Sequence, residues 1–396
     1  MVQLLLDSFG GDRRLTGLSG AKDYGNGAIE LFHVDSRFSD DTADIGRAGV
    51  RKVFRLLGYC LEAVWCRWRY GVRNFLYIPA PGLRSALYRD WLVMALCRPF
   101  FRRRIFYWQA AGLGEWLETQ AQPWERLLSR RLLNGPDLSI VLGDFNRPDG
   151  ELLESGRVEV VPNSAVDPCP DVGETLLPKR RARAGVRRDW RRGQLPQSAE
   201  LDQAGANPEV FRVLFLSLCY RPKGLFDAVE AVVLANAALR ETPLSVELIV
   251  AGKFWREEER REFDERICQP DLQRAGRPLV AYRGFVTGQE KHQLFVESDC
   301  LCFPTYYEAE SFPVVLVEAM AYGLPVVTTH WRMLPELLPP GYPGLVPPKS
   351  PDRVARALLD ALGRDDGEIL RNHYLGHFSL DQFGGRIRDL LLSVER

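Results

Sequence analysis

The chain has no net charge: 52 Lys and Arg stand against 52 Asp and Glu in 396 residues. No single-sign field therefore sets its partners. It also lacks any apolar run approaching the ~18 residues of a membrane-spanning helix. The apolar start Val2–Leu6 meets Asp7 too early for a secretory signal peptide. Eight cysteines are present without a Cys-x-x-Cys pair, so neither a structural zinc nor a disulfide framework is expected. Cys300 and Cys302 alternate on an apolar run and would point to opposite faces of a strand. Free cysteines fit a reducing compartment. These absences together lead us to expect a cytoplasmic chain.

What is present is alternation. Short apolar runs at Val2–Leu6, Ala28–Val34, Phe75–Ile78, Ile105–Gln109, Leu138–Leu142 and Val158–Val161 read as strands. Amphipathic runs at Val53–Trp68, Leu87–Cys97 and Trp124–Leu133 read as helices between them. A second series starts at Val213, with strands at Val213–Leu218, Val246–Ala251, Leu279–Tyr282, Cys300–Pro304 and Pro325–Thr328. Its helices are Leu225–Leu239, Glu258–Ile267 and Lys291–Glu297. Such alternation predicts α/β architecture with parallel sheets and crossover helices. The length suits two domains, taken as 1–167 and 211–380, with the amphipathic segment 381–396 returning to the first. The intervening 168–210, rich in Arg, Pro and Gly, reads as a linker or surface insertion.

Charge is uneven along the chain. Twelve Lys and Arg lie between Arg51 and Arg104, opposed only by Glu62 and Asp90. With Trp65, Trp68, Tyr70, Phe100 and Phe101, this stretch admits three readings. They are solvated helix faces, a docking surface for an anionic membrane leaflet, and nucleic-acid binding, for which no recognition fold is evident.

The most informative stretch is Tyr306–Thr329. A strand, Cys300–Pro304, leads into an acidic turn, a helix from Val314 to Tyr322 and a buried strand from Pro325. Ser311 and Pro313 suit the entry to the helix, and Gly323 ends it. The helix N-terminus presents free N–H groups and a partial positive charge to an anion such as a diphosphate. Glu310 stands at the mouth of the turn, and Glu318 lies about two turns along the helix. Two glutamates separated by seven residues, then Ala-Met-Ala-x-Gly-x-Pro-Val-Val, resemble the signature of retaining GT-B glycosyltransferases of family 4. The match is specific from Val213 to about Leu362.

The resemblance implies two Rossmann-like doubly wound domains facing a central cleft. It implies a nucleotide-diphosphate sugar as donor, with no further cofactor and no metal. Glu310 would lie near the transferred sugar and Glu318 on the ribose, while Ser311, Phe312, Pro313 and Val314 would meet sugar and phosphate. Lys223-Gly224 matches the family's Lys-Gly pair, whose cation clamps the diphosphate. The accompanying arginine is absent, since Leu218 occupies its place, and Arg221 is a substitute. Gln109 stands where many relatives carry histidine and cannot titrate. Gly10 and Gly11 follow the first strand as a phosphate-approach loop. Val160–Asp167, with Asn163, resembles the segment that closes the first domain, and Glu336 matches a further family glutamate. Arg37 and Trp108 are candidates for the acceptor side.

The expected partners are the donor, a glycan or lipid-linked glycan acceptor and an anionic membrane surface, not nucleic acid. The expected place is cytoplasmic, with peripheral attachment to the inner membrane face left open. Surface polysaccharide or glycolipid synthesis is the implied context. Alternatives are a non-catalytic GT-B scaffold or glycan-binding subunit, a nucleotide-sugar epimerase and a phosphorylase of similar fold.

Overall fold

A computed structural model of the chain describes residue 29, residues 31–34 and residues 50–395. Contacts group the chain into two units, one ending at Ser164 and resuming at Leu380, the other spanning Ala165–Ser379. The expected strand Val2–Leu6, part of Ala28–Val34, the Gly10-Gly11 loop and Arg37 lie outside the described residues.

In the first unit four parallel strands stand in sequential order: β1 (Asn74–Tyr77), β2 (Arg103–Tyr107), β3 (Leu138–Val141) and β4 (Val158–Val160). Its helices are α1 (Val50–Arg69), α2 (Arg84–Cys97), α3 (Leu113–Thr119), α4 (Pro123–Leu133) and α5 (Arg147–Leu152). Leu87, Met94, Phe106, Trp108, Leu133 and Val141 form its core. Burying aliphatic and aromatic surface of this kind contributes roughly 25 cal/mol per Å². Pro123 starts α4, where a missing N–H costs nothing. Gln122 and Glu125 close a capping box over its first turn.

The second unit opens with α6 (Val172–Thr175), α7 (Leu177–Arg191) and α8 (Ser198–Ala204). Strands β5 (Val210–Leu216) and β6 (Ser245–Ala251) follow, joined by α9 (Leu225–Ala238). Then come α10 (Glu257–Ile267), a small hairpin of β7 (Gln273–Arg274) and β8 (Arg277–Pro278), β9 (Val280–Tyr282), α11 (Gly288–Glu297) and β10 (Cys300–Phe303). The unit continues through α12 (Val314–Ala321), β11 (Val326–Thr329), α13 (Leu334–Leu337), β12 (Leu345–Val346), α14 (Pro351–Ala361) and α15 (Gly367–His377). The last helix, α16 (Leu380–Glu395), belongs to the first unit, where Arg157 donates to Ser393 Oγ at 3.0 Å.

The six-stranded sheet runs β12-β11-β10-β5-β6-β9, with every paired neighbour parallel. Strand order therefore reverses between β5 and β10, and the carboxyl ends of those two strands frame the position where doubly wound sheets bind ligands. β10 and β11 are wholly buried, as their unbroken apolar runs require. Apolar side chains of α9 and α14 pack with Phe211, Val213 and Val246 in one core cluster.

The segment 168–210 is not a surface insertion, and this corrects the reading from composition. Arg180, Arg183, Arg187 and Arg191 recur every three or four residues along α7 and all bind within the second unit. Arg183 and Arg187 are buried and grip the two carboxylate oxygens of Asp299 at 3.1 and 2.8 Å. Arg180 donates to the carbonyls of Phe295, Ser298 and Tyr322, and Arg191 to that of Leu359. Burial pushes the Asp299 carboxyl up, but Arg187 and Arg183 outweigh it and hold the group below the usual aspartate range.

Candidate functional site

Two chain segments meet where the strand order reverses. After β5 the chain makes a 3-10 turn, Arg221–Lys223, closed by Lys223 N–H to Tyr220 O at 2.9 Å and Gly224 N–H to Arg221 O at 2.8 Å. Gly224 starts α9 with φ +82°, and a Cβ there would stand 2.3 Å from the Pro304 carbonyl oxygen. Only glycine meets both demands. The turn is tied to the segment after β10, since Tyr306 N–H donates to Pro222 O at 2.8 Å.

Lys223 and Glu310 thereby come together. Lys223 Nζ donates to Glu310 Oε2 at 2.7 Å, with the side chains 14 % and 8 % exposed. The Thr305 hydroxyl lies 3.1 Å from the same carboxylate oxygen. The ammonium also sits 4.6 Å from the Tyr307 ring centre, a cation–π contact that holds it without consuming all its donors. Tyr307 is fixed in turn, because Trp331 Nε1 donates to its carbonyl at 2.8 Å. Glu318, on α12, is paired as well: Lys291 of α11 donates to its Oε1 at 2.6 Å. Pro313 stands at the N-cap of α12 and makes no side-chain cap bond, with Val314 following it. Phe312 is buried with its ring 6.2 Å from that of Phe378, while Val314 is 38 % exposed. Ser311 is half-buried beside them.

Arg221 does not join this cluster. Its guanidinium pairs with Glu262 of α10 and lies 4.1 Å from the Phe226 ring centre. The Glu262 carboxylate holds it above the ordinary arginine range, burial opposing. In the first unit, Gln109 and Asn163 exchange amide hydrogen bonds at 3.0 and 3.4 Å, and Tyr107 Oη donates to Asn163 Oδ1 at 2.9 Å. The suggestion of Trp108 as an acceptor contact is corrected. Its ring is 1 % exposed in the core, and its Nε1 donates to Ser139 Oγ at 3.1 Å. Glu336 stands exposed on α13.

Sequence reasoning missed Lys291, Thr305, Tyr307 and Trp331, because each acts through packing between separate elements. It also passed over His373 and His377, one turn apart on α15 with ring centres at 4.4 Å. Burial, then His377, hold His373 below the ordinary histidine range. Among the described residues no group of three or more His, Cys, Asp or Glu is arranged to hold a metal. Cys219 and Cys300 are buried thiols pushed up to about 12 by desolvation, so neither is a nucleophile near neutrality. A cavity of about 530 Å³ opens among α7, α11 and residues along β5, β6 and β9, and none of Lys223, Glu310 and Glu318 lines it.

Two parallel α/β units with this strand order constitute a GT-B fold. Residues 211–364 match the family model described as group 1 glycosyl transferases.

Among curated relatives, the amylovoran biosynthesis glycosyltransferase AmsK of Erwinia amylovora is 27 % identical over 184 residues, 46 % of this chain and 42 % of that one. An uncharacterized glycosyltransferase of Methanocaldococcus jannaschii is 33 % identical over 112 residues, 28 % of this chain and 26 % of that one. The O-antigen chain mannosyltransferase B of Escherichia coli is 28 % identical over 127 residues, 32 % and 30 % of the two chains. These matches span well under half the length of each relative. Among solved structures, a glycosyltransferase of Rickettsia africae superposes with a TM-score of 0.61 at 14 % identity, covering 88 % of this chain and 84 % of that one. Anabaena HepE in complex with UDP superposes at 0.58 with 17 % identity, over 85 % and 82 %. At such identities the likeness is one of fold.

Proposed function

We propose that the protein transfers a sugar from a nucleoside-diphosphate sugar to a hydroxyl acceptor, with retention at the anomeric carbon and without a metal. The observation that carries this is the meeting of Lys223 and Glu310 at the carboxyl ends of β5 and β10, with Glu318 farther along the adjoining helix. In this reading Lys223 turns from Glu310 to the donor's diphosphate and stabilises the charge that develops as the sugar–phosphate bond breaks. The N-terminus of α12 adds its partial positive charge. Glu310, released, accepts hydrogen bonds from sugar hydroxyls, and Glu318 accepts them from the ribose. The acceptor oxygen bonds to the anomeric carbon, and its proton passes to the departing phosphate oxygen. Gln109, in the first unit, is held by Asn163 and cannot titrate.

The relatives named for amylovoran and O-antigen chains support a bacterial surface glycan as acceptor, and HepE's complexes with UDP and UDP-glucose support such a donor. The test is calorimetry against uridine, guanosine and adenosine diphosphate sugars, followed by acceptor-dependent donor consumption. Binding of none of them overturns the reading. Engagement of Arg221 by Glu262 favours a second reading, a GT-B scaffold that binds donor without turnover. Donor binding without consumption across a panel of lipid-linked glycans would establish it.

A further inference from the structure

Helix α1 is apolar on two faces. One packs inward through Leu56 and Cys60, each no more than 6 % exposed. The other carries Phe54, Leu61, Trp65 and Trp68, which are 69 %, 71 %, 49 % and 75 % exposed. With Gly58 these positions recur at intervals of four, three, four and three residues, the spacing of a single helical face. The stripe runs about 21 Å along the axis at 1.5 Å per residue. Scattered exposed apolar residues are ordinary, but four large ones aligned on one helical face, three of them aromatic, are not.

The surroundings of the stripe are cationic. At its carboxyl end Tyr70 and Phe100 extend the exposed aromatic surface, and Trp65 meets Tyr70 edge-on at 5.6 Å. Arg67 donates to Phe100 O at 3.0 Å, and Arg69 lies 5.3 Å from the Tyr70 ring centre. Arg69, Arg73 and Arg102 are exposed there, and Arg102 N–H donates to Arg73 O at 2.9 Å. Along the helix itself Glu62 is the single acid.

We infer that this face of α1 lies in the interface of an anionic phospholipid bilayer. The Phe, Leu and Trp side chains would enter the boundary of headgroups and acyl chains, and the arginines would meet lipid phosphates. Trp and Tyr favour that depth, because their rings are apolar and their N–H and O–H groups need a wet partner. A second copy of the chain is the poorer occupant, since a two-fold pairing of these faces sets arginine against arginine. No helix among the described residues is long and apolar enough to cross a membrane, so the contact is lateral. The inference rests on the exposed faces of one helix and its neighbours and is independent of the proposed chemistry.

The experiment is flotation of the full chain with vesicles of phosphatidylcholine alone and of phosphatidylcholine with phosphatidylglycerol, without donor or acceptor. The wild-type protein is expected to float with the anionic vesicles, and less as salt is added. Trp65→Glu with Trp68→Glu should lower the partition coefficient at least ~10-fold. Arg69→Glu with Arg73→Glu should remove the preference for anionic over neutral lipid, each charge contributing about five-fold. Melting temperatures of both variants should match the wild type. Failure to float, or flotation unchanged by the tryptophan pair, overturns the inference. So does a drop of several degrees in their melting temperature, which would place the stripe against its own chain. A dimer in light scattering that the tryptophan pair dissolves would assign the face to a second copy instead.

Discussion

Strand β10 begins and ends on charge, and its two ends are opposites. Before its first residue, Asp299 is enclosed by Arg183 and Arg187, which also bind the backbone carbonyls of Ala204, Ala206, Pro208 and Val210. Past its last residue, Lys223 and Glu310 form a pair with a part-exposed ammonium. The first is a network in which both oxygens of Asp299 and all three nitrogens of Arg183 have fixed partners, and it bolts α7 to the sheet. In the proposed reading, the second is a pair whose members a ligand would draw apart, with phosphate for one and hydroxyls for the other.

Removing Asp299 should produce the largest effect, because it strands two buried guanidinium groups. We expect Asp299→Ala to lose ~3–5 kcal/mol of unfolding free energy, read by urea denaturation, with Asp299→Asn retaining part of it if the alanine variant does not fold. A loss below about 1 kcal/mol would mean that the network is not closed. The pH dependence has a definite sign. Since the folded carboxyl sits below its ordinary value of 3.8, its contribution is complete above that value and drains away as pH falls through the folded one. Acid unfolding of the wild type should thus steepen there and flatten in the asparagine variant.

At the other end of the strand the effect should fall mainly on rate, with some stability also lost where the buried Glu310 carboxylate is left without its cation. Lys223→Ala is expected to lower turnover at least ~10²-fold, as loss of a transition-state charge partner does; near-normal rates would remove Lys223 from the chemistry. Glu318→Ala should weaken donor binding about ten-fold through lost charge-assisted hydrogen bonds, and an unchanged calorimetric affinity would end the ribose assignment. The smallest effect is expected at Gln109. Gln109→Leu leaves Asn163 short of a partner and should cost about 1 kcal/mol of stability in the first unit, visible as a modest shift in its melting.

The strand, turn and helix around the proposed donor residues were readable because Glu310 to Gly323 is one continuous stretch. The alternation of apolar runs likewise marked most strands of both sheets. Lys291 was not readable, since nothing near it in sequence says that α11 lies beside α12. Helix α7 was misread for a different reason. Its arginines suggested solvent, whereas their helical spacing, at 180, 183, 187 and 191, is the pattern of one face meeting fixed carbonyls and a carboxylate. Periodicity was the better guide there than polarity. The exposed stripe of α1 shows the converse, because its aromatics alone could have belonged to a core.

The close approach at Gly224 has a practical consequence for anyone who would re-engineer the proposed donor site. Charge at the proposed diphosphate position can be varied through Lys223, and ring shape through Tyr307. Position 224 admits no alternative residue at all, since any side chain would drive the turn off Pro304 at the end of β10. A randomised library of the site should hold this position constant; variants that change it will report a displaced backbone, whatever chemistry they were meant to sample.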